Sequence, residues 1–220
     1  MDITYFALIL LVLILGIGAQ AMVRGSFKKW KKNPSSFGVS GADAARTMLN
    51  SQGLFNVTIV EIPGQLTDHF DPRTNVVSLS SEVYHGRTVS AVAIACHESG
   101  HAVQHAQDYA PAKVRGAIVP VVNVASNLWV FALIAGIILS MVGLIYVAIA
   151  MFGAVLIFQL VTLPVEFNAS SRAMAFVQSS GWLTQKELGG AKSVLRSAAL
   201  TYVAAALASI LQLLYLLGRR

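Results

Sequence analysis

The chain reads as an α-helical membrane protein with about four transmembrane helices and a small α+β polar unit. Three observations predict this class. Only 12% of its 220 residues are charged and 55% are hydrophobic, whereas a soluble domain carries roughly 25% charge. The missing charge is concentrated: residues 3–23, 116–165 and 197–218 are uncharged runs of 21, 50 and 22 residues. One span takes about 20 apolar residues, so the first and third runs supply one helix each and the second supplies two. Finally, residues 33–115 alone have the mixed composition of a soluble domain. The chain therefore divides into an N-terminal transmembrane anchor (1–23), a polar domain (24–115), a transmembrane hairpin (116–165), a second polar segment (166–196) and a C-terminal transmembrane helix (197–220).

The first run is an uncleaved anchor rather than a secretory signal. A signal carries its positive charges before a shorter apolar core, but here the chain opens Met1-Asp2 and the basic residues come afterwards. Those residues are Arg24, Lys28, Lys29, Lys31 and Lys32, with no acid among them. Beside a span, such a cluster marks the cytoplasmic side. The net charge of +6 is thus local, its partner is membrane lipid, and no nucleic acid is implied. The N-terminus is expected outside, and the two polar segments in the cytoplasm. Cys96 is the only cysteine, which excludes an internal disulfide and a thiolate zinc cage. It reads as a small buried helix residue.

In the polar domain, Ser40 begins a capped helix that ends near Gly53. Residues 56–62 alternate as a strand does. Asp71-Pro72-Arg73-Thr74-Asn75 signals a turn, and residues 76–80 form a second strand. Residues 90–107 lack proline and have only Gly100 as a glycine, so they form a helix. Two spans follow, with Pro120 near the first turn of one and a break near residues 140–143. That turn is uncharged, as expected of a short outer loop. Pro164 is expected to close the second span. Residues 166–196 read as two helical pieces broken around Ser179-Ser180-Gly181. The fourth span runs to an outer C-terminus, where Arg219 and Arg220 count against the positive-inside rule.

The decisive motif is His97-Glu98-Ser99-Gly100-His101. Histidines four apart lie one turn apart on one helix face, where two imidazoles can grip one zinc ion. Glu98, next to the first histidine, can take a proton from a water on the metal. With five His and five Glu in the chain, chance gives such a motif in about 0.3% of sequences. A catalytic zinc needs a third protein ligand. His105 continues the stripe but lies about 12 Å from His97 along the helix axis, so it reads as a surface or packing residue. His69 and His85 lie upstream in no ligand-like context. Glu166 directly follows the hairpin. The 50 intervening residues fit two passes of about 30 Å plus a turn, which returns the chain to the side it left. Glu166 is therefore the expected third ligand.

Three stretches together carry a family resemblance: Thr67-Asp-His-Phe-Asp-Pro-Arg-Thr-Asn-Val-Val-Ser-Leu-Ser80, Ala91-Val-Ala-Ile-Ala-Cys-His-Glu-Ser-Gly-His-Ala-Val-Gln-His105 and Leu163-Pro-Val-Glu-Phe-Asn-Ala-Ser170. The chain resembles the YugP-type neutral zinc metallopeptidases of bacterial membranes over nearly its whole length. More distantly it is similar to HtpX-type peptidases and to thermolysin. The resemblance implies a gluzincin-like catalytic unit with one Zn2+ on His97, His101 and Glu166, a peptide or membrane-protein substrate, and a multi-pass location in the bacterial plasma membrane. The distant relatives commonly carry an Asp four residues after the glutamate ligand, to orient a histidine ligand. Ser170 stands there in this chain and can accept an imidazole N–H without the added basicity of a carboxylate.

The expected reaction is peptide hydrolysis by a zinc-activated water, with Glu98 as general base and then proton donor to the leaving amine. The developing oxyanion needs a further partner. Arg172 is the first candidate and Tyr84 or His85 the second, while a cytoplasmic anchor or an ion pair explains Arg172 equally well. The 76–80 strand offers an edge for an extended substrate, or is an ordinary buried strand. An intramembrane zinc site is disfavoured, because the uncharged stretch before His97 is only nine residues long. A catalytically silent membrane scaffold or adaptor predicts loss of Glu98 or of a ligand, and none is lost. An oligomer or a regulatory membrane partner is compatible with the sequence.

Overall fold

The computed structural model describes residues 3–218; Arg219 and Arg220, which bear on the orientation, lie outside the described residues. The element order is α1 (Ile3–Lys31), α2 (Gly41–Ser51), β1 (Thr58–Ile62), β2 (His69–Asp71), β3 (Val76–Ser80), α3 (Ser81–Tyr84), α4 (Val89–Ala106), α5 (Ala110–Ile138), α6 (Val142–Ser180) and α7 (Gln185–Gly218). Among the described residues, four helices are long and apolar enough to cross a membrane: α1, α5, α6 and α7. The expected class, a helical membrane protein with a small α+β part, is the one observed.

The chain forms two compact units. The first contains the chain up to Ala19, then Ala110–Pro164, then the chain from Thr201. Its surface is apolar, with Ile14, Phe131 and Ile157 all more than half exposed, as suits helices whose solvent is lipid. Trp129 of α5 meets Phe152 of α6 with ring centroids 4.6 Å apart. The loop between these helices is short, and Ser140 takes φ 54° there, close to the break that the sequence predicts.

The second unit contains Gln20–Tyr109 and Val165–Leu200. Ser40 caps α2, its hydroxyl accepting from the Asp43 N–H. Thr88 caps α4 in the same way through Ala91. Most of α4 is buried, and its apolar residues serve two cores. One core packs its Val92, Cys96 and Val103 against Met48 of α2, Val177 of α6 and Val194 of α7. A second packs its Ala91, Ala95 and Ala102 against Leu49 of α2, Val77 and Leu79 of β3, and Phe27 of α1. Burial pushes the pKa of the Cys96 thiol up, in keeping with an inert packing residue.

The sheet has the order β1-β3-β2. β3 pairs in parallel with β1, Val77 opposite Ile59, and antiparallel with β2, Val77 opposite Phe70. Two sequence expectations change here, and one strand is new. β2 carries no strand signal in the sequence, because at three residues it is too short to show alternation. β3 is the central strand with neighbours on both sides, so it has no free edge for a substrate strand, and only β1 and β2 present one. Pro164 does not end the helix: it lies inside α6, which runs on to Ser180, although the first compact unit does end at this residue. A proline inside a helix gives up its N–H bond to the residue four before it, here Leu160, and crowds that carbonyl, and membrane helices tolerate this. The break expected around Ser179-Ser180-Gly181 is present, with Gly181 at φ 70°.

Candidate metal centre

Helix geometry sets the site. His97 and His101 stand one turn apart on α4 with ring centroids 4.7 Å apart. Glu166 enters from α6, because the two helices approach closely at Gly100. A Cβ built on Gly100 would lie 2.8 Å from the carbonyl oxygen of Ala169 and 3.2 Å from its Cα. Only glycine leaves room for that backbone, so the residue just before His101 decides how near the carboxylate can come. The sequence reading used Gly100 only as a helix position, although a glycine inside a metal-binding helix is the signal of such an approach.

Glu166 Oε2 lies 3.3 Å from His97 Nε2 and 3.7 Å from His101 Nε2. The three ligand atoms fall within 4.8 Å of one another. Two ligands about 2.05 Å from a tetrahedral ion are separated by roughly 3.3 Å, so the spacing suits zinc. The donor set of two imidazoles and a carboxylate suits it too. His97 is 9% and Glu166 5% exposed, so little water competes for them.

Each histidine is held at its other nitrogen. The Ser170 hydroxyl lies 3.2 Å from His97 Nδ1, the contact expected of Ser170. His101 Nδ1 lies 3.0 Å from Gln104 Oε1. Gln104 was missed in the sequence, where no pattern marks it. The amide is 1% exposed and donates to the Val165 carbonyl at 2.7 Å and to Asn168 Oδ1 at 3.0 Å. Burial works to lower the pKa of His101. The hydrogen bond to Glu166, the charges of Glu98 and Glu166 and the bond to Gln104 outweigh it, and the net shift is upward. Glu98 is half-buried on the same helix, and its charge acts on His101.

The other expected residues are engaged elsewhere. Arg172 donates to Asn168 Oδ1 and to Gln107 Oε1, both at 2.7 Å. His85 Nε2 lies 3.0 Å from Glu61 Oε2, and Tyr84 packs edge-on against the His85 ring. His105 is exposed and rests near Phe70, ring centroids 5.9 Å apart. Among the described residues, the metal-competent group is His97, His101 and Glu166 alone.

No solved structure matches the chain. A protein of Bacillus subtilis (strain 168), named "Putative membrane protease YugP", is 46% identical over 200 residues, covering 91% of this chain and 89% of that relative. The family described as "Putative neutral zinc metallopeptidase" matches residues 5–220. With the match running nearly end to end, the chain belongs to this zinc metallopeptidase family.

Proposed function

We propose that the protein is a zinc-dependent endopeptidase working at the cytoplasmic face of the bacterial plasma membrane, on peptides or membrane-protein segments. The observation that carries this reading is the convergence of His97, His101 and Glu166 beside Glu98 on a largely buried helix. His97, His101 and Glu166 hold one Zn2+. When bound, the ion polarises the scissile carbonyl and brings the pKa of a water down to about 7. Glu98 supplies what the ligands cannot. Its carboxylate accepts the proton of the attacking water and then gives it to the leaving amine nitrogen. Ser170 fixes the ring of His97. The five basic residues after the first apolar run support the cytoplasmic orientation.

The test is Glu98→Gln in purified full-length protein, assayed on an unstructured polypeptide substrate. The variant should bind zinc one per chain and lose activity by about 10²-fold or more. Turnover at the wild-type rate would refute the assignment of the base.

A further inference from the structure

Gln104 completes a chain of hydrogen bonds whose direction has only one consistent assignment. The Val165 carbonyl can only accept, so the Gln104 group facing it at 2.7 Å is the NH2 end. The Gln104 carbonyl therefore faces His101 Nδ1 at 3.0 Å. A carbonyl oxygen cannot donate, so His101 must carry a proton on Nδ1. Nε2, the nitrogen turned towards Glu166, is then the one available to a metal. The second proton of the NH2 group goes to Asn168 Oδ1, which is itself held by the Arg172 guanidinium.

We propose that Gln104 is a positioning residue of the metal site: it holds His101 with Nδ1 protonated and ties that ring to the α6 backbone at the residue before Glu166. This rests on the zinc reading above, which it deepens. One side chain thereby sets the relative placement of two ligands that come from different helices. It also gives Arg172 a role away from the reacting atoms, anchoring Asn168 at the far end of the same chain. A neutral amide suits the position. One end must accept from an imidazole and the other must donate to a carbonyl, and a carboxylate can do only the first.

The experiment uses the full-length protein in detergent, stripped of metal and titrated with zinc against a competing chromophoric chelator. Gln104→Leu keeps the volume and removes both hydrogen-bonding ends, and it should raise the zinc Kd about 10–100-fold. Gln104→Glu keeps the acceptor for His101 and should recover part of that loss. A purely structural role would make Glu as damaging as Leu. The second readout needs no zinc: 15N-edited NMR of the imidazoles should show a slowly exchanging His101 Nδ1–H in the wild type and the Glu variant, and not in the Leu variant. An unchanged Kd and an unchanged Nδ1–H signal in Gln104→Leu would overturn the proposal. Should Gln104→Leu fail to fold, the Glu variant decides, and loss of the Nδ1–H signal there would also overturn it. Wild-type protein that takes up no zinc but shows the Gln104-dependent signal would refute the zinc reading and leave the positioning intact.

Discussion

Replacing Gly100 by alanine adds one methyl group at the closest approach of α4 and α6. The new Cβ would meet the Ala169 carbonyl oxygen at 2.8 Å, the Ala169 Cα at 3.2 Å and its carbonyl carbon at 3.3 Å. All three are backbone atoms, so no side-chain rotation relieves the contact. Carbon–oxygen contacts are ordinarily about 3.3 Å or longer, so the helices must part locally by about 0.5 Å. Overpacking of this kind costs about 1–3 kcal/mol, and alanine returns about 1 kcal/mol through helix propensity, so the fold survives. The metal site suffers more. Ala169 stands between Glu166 and Ser170, so the same displacement moves a ligand and the partner of His97. Zinc–ligand distances tolerate about 0.2 Å, less than half that shift. Gly100→Ala should therefore raise the zinc Kd at least tenfold while the purified protein stays folded by circular dichroism. A zinc titration of both proteins against the same chelator decides the matter: a Kd within twofold of wild type would show that the helix approach does not set the site.

Three further outcomes follow from the structure. Glu166→Ala should lose zinc, whereas His105→Ala should keep one zinc per chain by elemental analysis, because His105 sits against Phe70 rather than in the cluster; the opposite pattern would mean the third ligand is misassigned. In a Cys96→Ala background, an impermeant thiol reagent on intact cells should label Ser140→Cys and spare Ser36→Cys, both positions being exposed in the fold, and the reverse would invert the proposed orientation. Asp68 accepts from Ser80 N and Oγ, yet burial raises its pKa above the ordinary 3.8. Its carboxylate therefore binds a proton more readily folded than unfolded, and its contribution to stability falls as pH rises through that raised pKa. Relative to Asp68→Asn, which keeps the acceptor, wild-type thermal stability should decline as the pH rises above the ordinary carboxylate value of 3.8, and a rise would contradict the assigned burial effect.

The parts of this fold that local chemistry dictates were legible in the sequence. The Ser40 cap, the alternation of residues 56–62, the four-residue spacing of the histidines and the two long apolar helices before Glu166 each depend on near neighbours or on length. What escaped depends on tertiary contact. Gln104 looks like any polar helix residue until α6 arrives with the Val165 carbonyl. Arg172 attracted a role at the oxyanion because of its charge, while the structure engages it with Asn168 and Gln107. Of the two readings of residues 76–80, the buried strand holds and the substrate edge does not, because pairing order is not written in a strand: the three residues of β2 occupy one side and β1 the other. Pro164 misled because the stop rule for proline weighs its missing N–H and not the long apolar helix on either side.

The separation of the site along the chain has a consequence during synthesis. Gln104 and Val165 are 61 residues apart, and a ribosome adds about 5–20 residues per second. The histidine helix thus emerges roughly 3–12 s before the segment that carries the carboxylate, and the α5–α6 hairpin is made in that interval. A nascent or truncated chain that stops short of the hairpin owns both histidines and the base but neither the third ligand nor the backbone carbonyl that orients Gln104. On the proposed reading, proteolytic competence is then acquired late in biogenesis, after the second and third apolar helices have been delivered to the insertion machinery.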